Sequence, residues 1–223
     1  QLKSTFISMV SHEFRNPLTT LELTSHLLQD LDKRLTPEKK AKYFERMDTT
    51  IHKMTQLLDE VMLLGKTEVG QWPCEPSALN LENFCRELTE SMQLGDNNRH
   101  PIIFNCQGNC TQVEMDECLL QHILSNIISN ALKYSPQGKA VRFDLICQEN
   151  TVNFRIQDQG IGIPEKERYR LFEAFSRCSN VGRIEGTGLG LAIVKRYVDS
   201  YGGQIQIDSE VNVGTTVMVS LPV

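Results

Sequence analysis

The sequence predicts a helical hairpin that dimerises into a four-helix bundle, followed by a two-layer α/β sandwich, α + α/β in class. Three observations carry this. Apolar residues step alternately by three and four through residues 10–31 and again through 44–61. A stretch rich in Gly and Pro, GKTEVGQWPCEPSALN, then breaks the pattern. Beyond it, short alternating strands mix with amphipathic helices. The breaks divide the chain into a hairpin at 1–65, a linker at 66–79 and a sandwich domain at 80–223.

In the first helix the stepping residues are Val10, Phe14, Pro17, Leu21, Thr24, Leu28 and Leu31. In the second they are Phe44, Met47, Ile51, Met54, Leu58 and Val61. Both read as coiled-coil-like seams. LTPEKK joins them, with Thr36 as N-cap and Pro37 in the first helical turn. A lone hairpin has one contact partner, which predicts a homodimer. Further on, helices are predicted at Leu81–Leu94, Glu114–Tyr134 and Leu189–Tyr201. Strands are predicted around Val141–Leu145, Val152–Ile156, Ile205–Ile207 and Val217–Leu221. Their hairpin-like spacing predicts a largely antiparallel sheet.

The formal net charge of −5 over 223 residues gives no basic footprint for nucleic acid. No apolar run reaches the roughly 18 residues of a membrane span, so no membrane contact is expected within this stretch. Gln1 opens inside a helical pattern, which predicts a piece of a longer chain and leaves that chain's membrane attachment open. The seven cysteines are scattered and odd in number, which predicts reduced thiols and a cytoplasmic location. Cys106, Cys110 and Cys118 lack a CxxC pair, so buried thiols are expected there rather than a metal.

Four stretches carry chemistry. In SHEFRNPL, His12 lies roughly 200° around the helix from Val10, facing away from the seam, and Asn16 shares its face. Glu13 is placed to accept a hydrogen bond from one ring nitrogen, leaving the other as a nucleophile. Pro17 removes the hydrogen bond to the Glu13 carbonyl and weakens the helix just beyond that nucleophile.

In DECLLQHILSNIISNALKYS, Asp116 caps a helix, and Asn126, Asn130 and Lys133 fall on one flank at i, i+4 and i+7. Amide oxygens there suit a hard cation such as Mg2+, and the lysine suits phosphate. In VNFRIQDQGIGIP, Asp158 continues the inward parity of Val152, Phe154 and Ile156. A buried carboxylate needs donors, and an adenine amino group is one; a hydrogen-bonded turn is the alternative. Gly160 and Gly162 admit a flat base close to the backbone. In EGTGLGLAIVKRY, Gly186, Gly188 and Gly190 precede an apolar helix whose N-terminus suits phosphate. The spacing is neither a dinucleotide fingerprint nor GxxxxGK[ST].

SHEFRNPL resembles the phosphoacceptor box of sensor histidine kinases of two-component systems. The asparagine stretch, DQGIG, LFEAFSR and GTGLGL, in that order, resemble their Bergerat-type ATP-binding domain. The resemblance implies that His12 is autophosphorylated from ATP, with Glu13 as acid–base partner. Asn16 would place water or a response-regulator receiver. It also implies that Asn130 holds Mg2+ with Asn126 beside it, that Lys133 meets phosphate and Tyr134 the base or ribose, and that Asp158 reads the adenine amino group.

Gly160, Gly162, Gly186, Thr187, Gly188, Leu189 and Gly190 would shape the nucleotide site and its lid hinges. Phe172 and Phe175 would anchor a short lid at about 173–185, or serve as plain core aromatics. Arg177 would touch the γ-phosphate, or sit solvated at the surface. The implied partners are a second copy and a receiver whose aspartate takes the phosphoryl group, with its later removal also implied. The alternatives are a clamp-type ATPase of the same superfold and a silent dimerisation scaffold.

Overall fold

The computed structural model describes residues 2–30, 35–68, 75–182, 184 and 186–223. The chain divides into two compact units, Gln1–Gln71 and Trp72–Val223.

The first unit pairs α1 (Leu2–Asp30) with α2 (Pro37–Glu68). Thr36 caps α2: its carbonyl accepts from Lys40 N–H and its hydroxyl from Lys39 N–H. The seam expected for α1 is buried or half-buried from Val10 to Leu28; Leu31 lies outside the described residues. On α2 the expected seam is corrected. Met47, Met54 and Val61 are half-buried, but Phe44, Ile51 and Leu58 are exposed, while Thr50 and Leu57 are buried. The true inward row is 47, 50, 54, 57 and 61, because the sequence carries apolar residues on two adjacent faces and stepping alone cannot say which one packs. Thr24 and Thr50 enter the seam by returning their hydroxyls to Thr20 and Arg46 carbonyls. An outer row of Leu18, Phe44, Ile51, Leu58 and Met62 stays exposed.

The second unit is a two-layer sandwich. Its elements are β1 (Ser77–Leu79), α3 (Leu81–Gly95), β2 (Ile102–Gln107), β3 (Val113–Met115), α4 (Glu117–Tyr134), β4 (Val141–Gln148), β5 (Thr151–Gln157), α5 (Gly190–Ser200), β6 (Gln204–Glu210) and β7 (Gly214–Pro222), with short 3-10 turns at Glu165–Arg170 and Ser179–Val181. The main sheet runs β2-β4-β5-β7-β6, and β1 and β3 form a separate antiparallel pair. Among the described residues only β2 and β4 pair in parallel, so the largely antiparallel expectation holds there with one exception.

Period-two alternation aligns the buried row across strands. Phe143 faces Ile156, Leu145 faces Phe154, and Phe154 and Ile156 face Val219 and Val217. Helices α3, α4 and α5 cover that row with Leu81, Leu88, Leu120, Leu124, Ile128, Ile193 and Val198, all buried. The predicted start of α4 at Glu114 is corrected, because Val113–Met115 forms β3. The Asp116 carboxylate then accepts from Leu119 N–H at 2.9 Å and caps the helix as expected.

The cysteine expectation is corrected in part. Cys110 and Cys147 are joined by a disulfide, while Cys85, Cys106, Cys118 and Cys178 are free. Cys118 is exposed, and among the described residues no group of three His, Cys, Asp or Glu side chains could hold a metal.

Candidate functional site

On α1 the His12 imidazole is exposed, with 68% of its side chain accessible, and Asn16 on the same face is exposed too. Glu13 Oε1 lies 3.8 Å from His12 Nδ1. That is electrostatic contact and too long for the expected hydrogen bond. Pro17 sits inside α1 without ending it.

In the second unit, α4 presents Asn126, Asn130, Lys133 and Tyr134 half-buried along one flank. Asn126 donates through Nδ2 to the His122 carbonyl at 2.9 Å, which turns its Oδ1 outward, toward Gly190. A Cβ on Gly190 would come within 2.6 Å of that oxygen. A Cβ on Gly186 would collide with Lys133 Nζ, which itself lies 4.6 Å over the Tyr134 ring. The glycine-rich loop therefore runs directly along the asparagine–lysine flank. Among the described residues the Asn130 amide has no hydrogen-bond partner.

Asp158 follows β5 and is buried, as strand parity predicts. Its Oδ1 accepts from Gly160 N–H at 2.8 Å and Thr215 N–H at 3.0 Å. Its Oδ2 has no donor among the described residues. Burial pushes its pKa upward, and the two backbone N–H groups oppose that shift without cancelling it. The next loop is stapled in place. The Tyr134 carbonyl accepts from Ile161 N–H, and the Ser209 hydroxyl accepts from Ile163 N–H at 2.9 Å. The Arg168 guanidinium donates to the Ser209 carbonyl, and Asn180 Nδ2 to the Gly162 carbonyl. Gly162 needs its missing side chain twice over: its φ is +65°, and a Cβ would strike the Glu210 carbonyl.

Phe175 and Gly188 meet across the segment expected to form a lid. Phe175 N–H donates to the Gly188 carbonyl at 2.9 Å, with both residues at positive φ. Between them, Ser179 donates through its N–H and hydroxyl to Glu167 of the preceding 3-10 turn, and Arg177 donates to the Ile184 carbonyl. Leu189, buried, stands at the N-cap of α5 without a side-chain cap. Its own N–H donates to the Thr187 hydroxyl. The first-turn N–H groups of α5 thus point at the asparagine flank with their dipole, an arrangement suited to an anion.

The structure brings together Asn126, Lys133, Tyr134, Asp158, Gly160, Gly186 and Gly190, with Asn130 on the same flank. Arg177 instead donates to the Ile184 carbonyl, and His12, Glu13 and Asn16 belong to the other unit. Sequence reasoning missed Thr215, Ser209, Arg168 and Asn180. The main-chain N–H of Thr215 leaves no mark in a sequence. Gly214, whose Cβ would collide with the Asp158 carbonyl, was the available signal of close backbone approach.

A surface histidine on a helical hairpin, ahead of a sandwich whose glycine loops close on an asparagine flank and a half-satisfied carboxylate, defines the class of proteins that join a histidine-bearing hairpin to an ATP-binding domain. Known proteins agree. The model of the His Kinase A (phospho-acceptor) domain matches residues 2–70. That of the Histidine kinase-, DNA gyrase B-, and HSP90-like ATPase matches residues 115–223. Sensor histidine kinase WalK of Bacillus subtilis is 31% identical over 229 residues, covering 100% of this chain and 37% of WalK. The mycobacterial sensor histidine kinase MprB is 30% identical, with a TM-score of 0.56 over 67% of this chain and 97% of that one. Histidine kinase ThkA, solved in complex with response regulator protein TrrA, has a TM-score of 0.72 over 98% of this chain and 61% of that one; at 20% identity it shows the fold. The chain spans less than half the length of the curated relatives it matches. It belongs to the sensor histidine kinase family of two-component systems.

Proposed function

We propose that the chain transfers the γ-phosphoryl group of ATP to His12 and passes it on to an aspartate of a response-regulator receiver. Asp158 carries the reading. One carboxylate oxygen is fixed by two backbone N–H groups and the other is left to accept from an adenine amino group. The loop of Gly160 and Gly162, tied to the β6–β7 turn, leaves a base room against the backbone. Lys133 and the open N-terminus of α5 suit the phosphates.

Asn130, half-buried and without a hydrogen-bond partner among the described residues, would hold Mg2+ with Asn126 beside it, and the ion would supply positive charge against the phosphates. The Glu13 carboxylate beside Nδ1 favours a proton there and leaves the Nε2 lone pair to attack. The Nε2–P bond forms as the bond from γ-phosphorus to the bridging oxygen breaks, giving phosphohistidine and ADP. Asn16, exposed one turn on, would place the receiver's carboxylate or a water for the later removal of the phosphoryl group.

The exposed row of Leu18, Phe44, Ile51, Leu58 and Met62 supports packing against a second hairpin. Among the described residues no helix is long and apolar enough to cross a membrane. The need for ATP and for a receiver supports a cytoplasmic setting for the reaction. The test is incorporation of label from γ-labelled ATP. His12→Gln is expected to abolish it while nucleotide affinity stays within about twofold, a change too small to count as a lost contact. Persisting label would refute the acceptor.

A further inference from the structure

Three cysteines, two of them four residues apart and the third 37 residues further on, converge at the end of the sheet away from Asp158. Strand β5 leads into Asp158 at Gln157, which pairs with Arg142; the opposite end of that ladder pairs Gln148 with Thr151. Cys147 belongs to that opposite end. Strand β2 runs parallel to β4, with Cys106 opposite Leu145, and so brings Cys106 to the same end. Cys110, buried in the loop after β2, is bonded to Cys147. The half-buried Cys106 thiol donates to the Cys110 sulfur at 3.6 Å. That is sulfur–sulfur contact, the approach from which a thiolate attacks a disulfide.

We propose that Cys106, Cys110 and Cys147 form an intramolecular thiol–disulfide exchange site in which the bond alternates between Cys110–Cys147 and Cys106–Cys110. The Cys106 thiol gives its proton to water and its thiolate attacks Cys110 Sγ. The Cys110–Cys147 bond breaks, and Cys147 leaves as a thiolate that takes up a proton. The count of disulfides and thiols is unchanged, so no oxidant or reductant takes part. Cys110 is the sulfur attacked because it is the one in contact. Intracellular disulfides are usually transient and sensing, which fits a bond with a resolving thiol beside it.

The exchange also changes what the bond ties. The Cys110 carbonyl accepts from Leu81 N–H at 2.8 Å at the start of α3, so the present bond links that start to the end of β4. The isomer would link it only to β2. The groups facing Cys106 are Glu82, Arg86 and Cys85 of α3. Burial, then the Glu82 charge, push the Cys106 thiol up, against Arg86, while Cys85 is itself pushed well up by burial. Exchange should therefore quicken about tenfold per pH unit until Cys106 ionises.

The test is peptide mapping of the chain prepared without reductant, quenched in acid and alkylated. Trypsin with a glutamate-specific protease puts Cys106 and Cys110 on His100–Glu114 and Cys147 on Phe143–Glu149. In the unsubstituted chain, Cys147 should become alkylatable with the stated pH dependence while His100–Glu114 gains an internal bond. Cys106→Ser should keep the two peptides joined and Cys147 blocked. Cys147→Ser, incubated with oxidised glutathione, should form the Cys106–Cys110 bond by way of a mixed disulfide, the glutathione disulfide taking the two electrons and leaving as two glutathione thiols. Equal alkylation of Cys147 with and without Cys106, or Cys106 and Cys110 thiols still unpaired in Cys147→Ser after incubation with oxidised glutathione, would overturn the proposal.

Discussion

Asp158→Asn separates nucleotide recognition from folding. Oδ1 stands between two N–H donors, Gly160 at 2.8 Å and Thr215 at 3.0 Å, so only an acceptor can occupy that position. An asparagine must place its oxygen there and turn its Nδ2 to the open side. Both backbone bonds survive, but the outer atom becomes a donor facing the donor of an adenine amino group. The lost interaction is a hydrogen bond to a charged group, worth about 1.5–3 kcal/mol. ATP affinity should then fall by about 10- to 150-fold. The same Nδ2 can donate to a guanine carbonyl oxygen, so the ratio of GTP to ATP affinity should rise.

Stability should move the other way. Burial raises the Asp158 pKa above its ordinary 3.8, so in that window the folded state binds more protons than the unfolded chain. Stability from this group is therefore lost as pH rises from 3.8 through the raised value, and at pH 7 the ionised buried form is a cost. The neutral asparagine should melt at or above the parent temperature at pH 7. Calorimetric titration with both nucleotides and thermal denaturation without them read the two effects. Unchanged ATP affinity and purine preference would refute Asp158 as the base reader. A markedly lower melting temperature would refute the claim that both backbone bonds persist.

Three further outcomes follow from the same geometry. Asn130→Asp adds a charge where phosphates gather and should slow autophosphorylation by about tenfold or more, the effect of roughly 1.4 kcal/mol, with partial rescue by raised Mg2+; an unchanged rate at all Mg2+ concentrations would remove the metal role. Gly190→Ala puts a Cβ within 2.6 Å of Asn126 Oδ1, so nucleotide affinity should drop in titrations although the helix itself gains up to about 1 kcal/mol. Ile51→Asp places a charge on the exposed outer row of the hairpin and should shift a dimer to monomer in sedimentation at micromolar concentration.

What the sequence shows and what it hides divide along physical lines. The inward position of Asp158 was legible because strand alternation is rigid: Val152, Phe154 and Ile156 fix the parity of the next inward residue. The asparagine–lysine flank was legible from 100° per residue, and the Asp116 cap from its side chain. The donors on Asp158 were not legible, since Thr215 contributes only its main chain. Strand β2, Ile102–Gln107, was not read from the sequence at all, and its parallel pairing with β4, reached by way of α4, is a crossover that strand spacing alone does not show. The inward row of α2 was misread by one helix position because Phe44, Ile51 and Leu58 are as apolar as the residues that pack. The Cys110–Cys147 bond spans 37 residues, and nothing in the spacing of seven cysteines selects that pair.

The central claim is that the exposed imidazole of α1 is the group that receives phosphate. Mass-spectrometric mapping under neutral conditions, after incubation with ATP and Mg2+, tests it most directly. The account predicts a single acid-labile phosphate on His12. An acid-stable phosphate on a hydroxyl residue, a phosphate on His52 or His26 instead, or nucleotide bound with no phosphate transferred would contradict it.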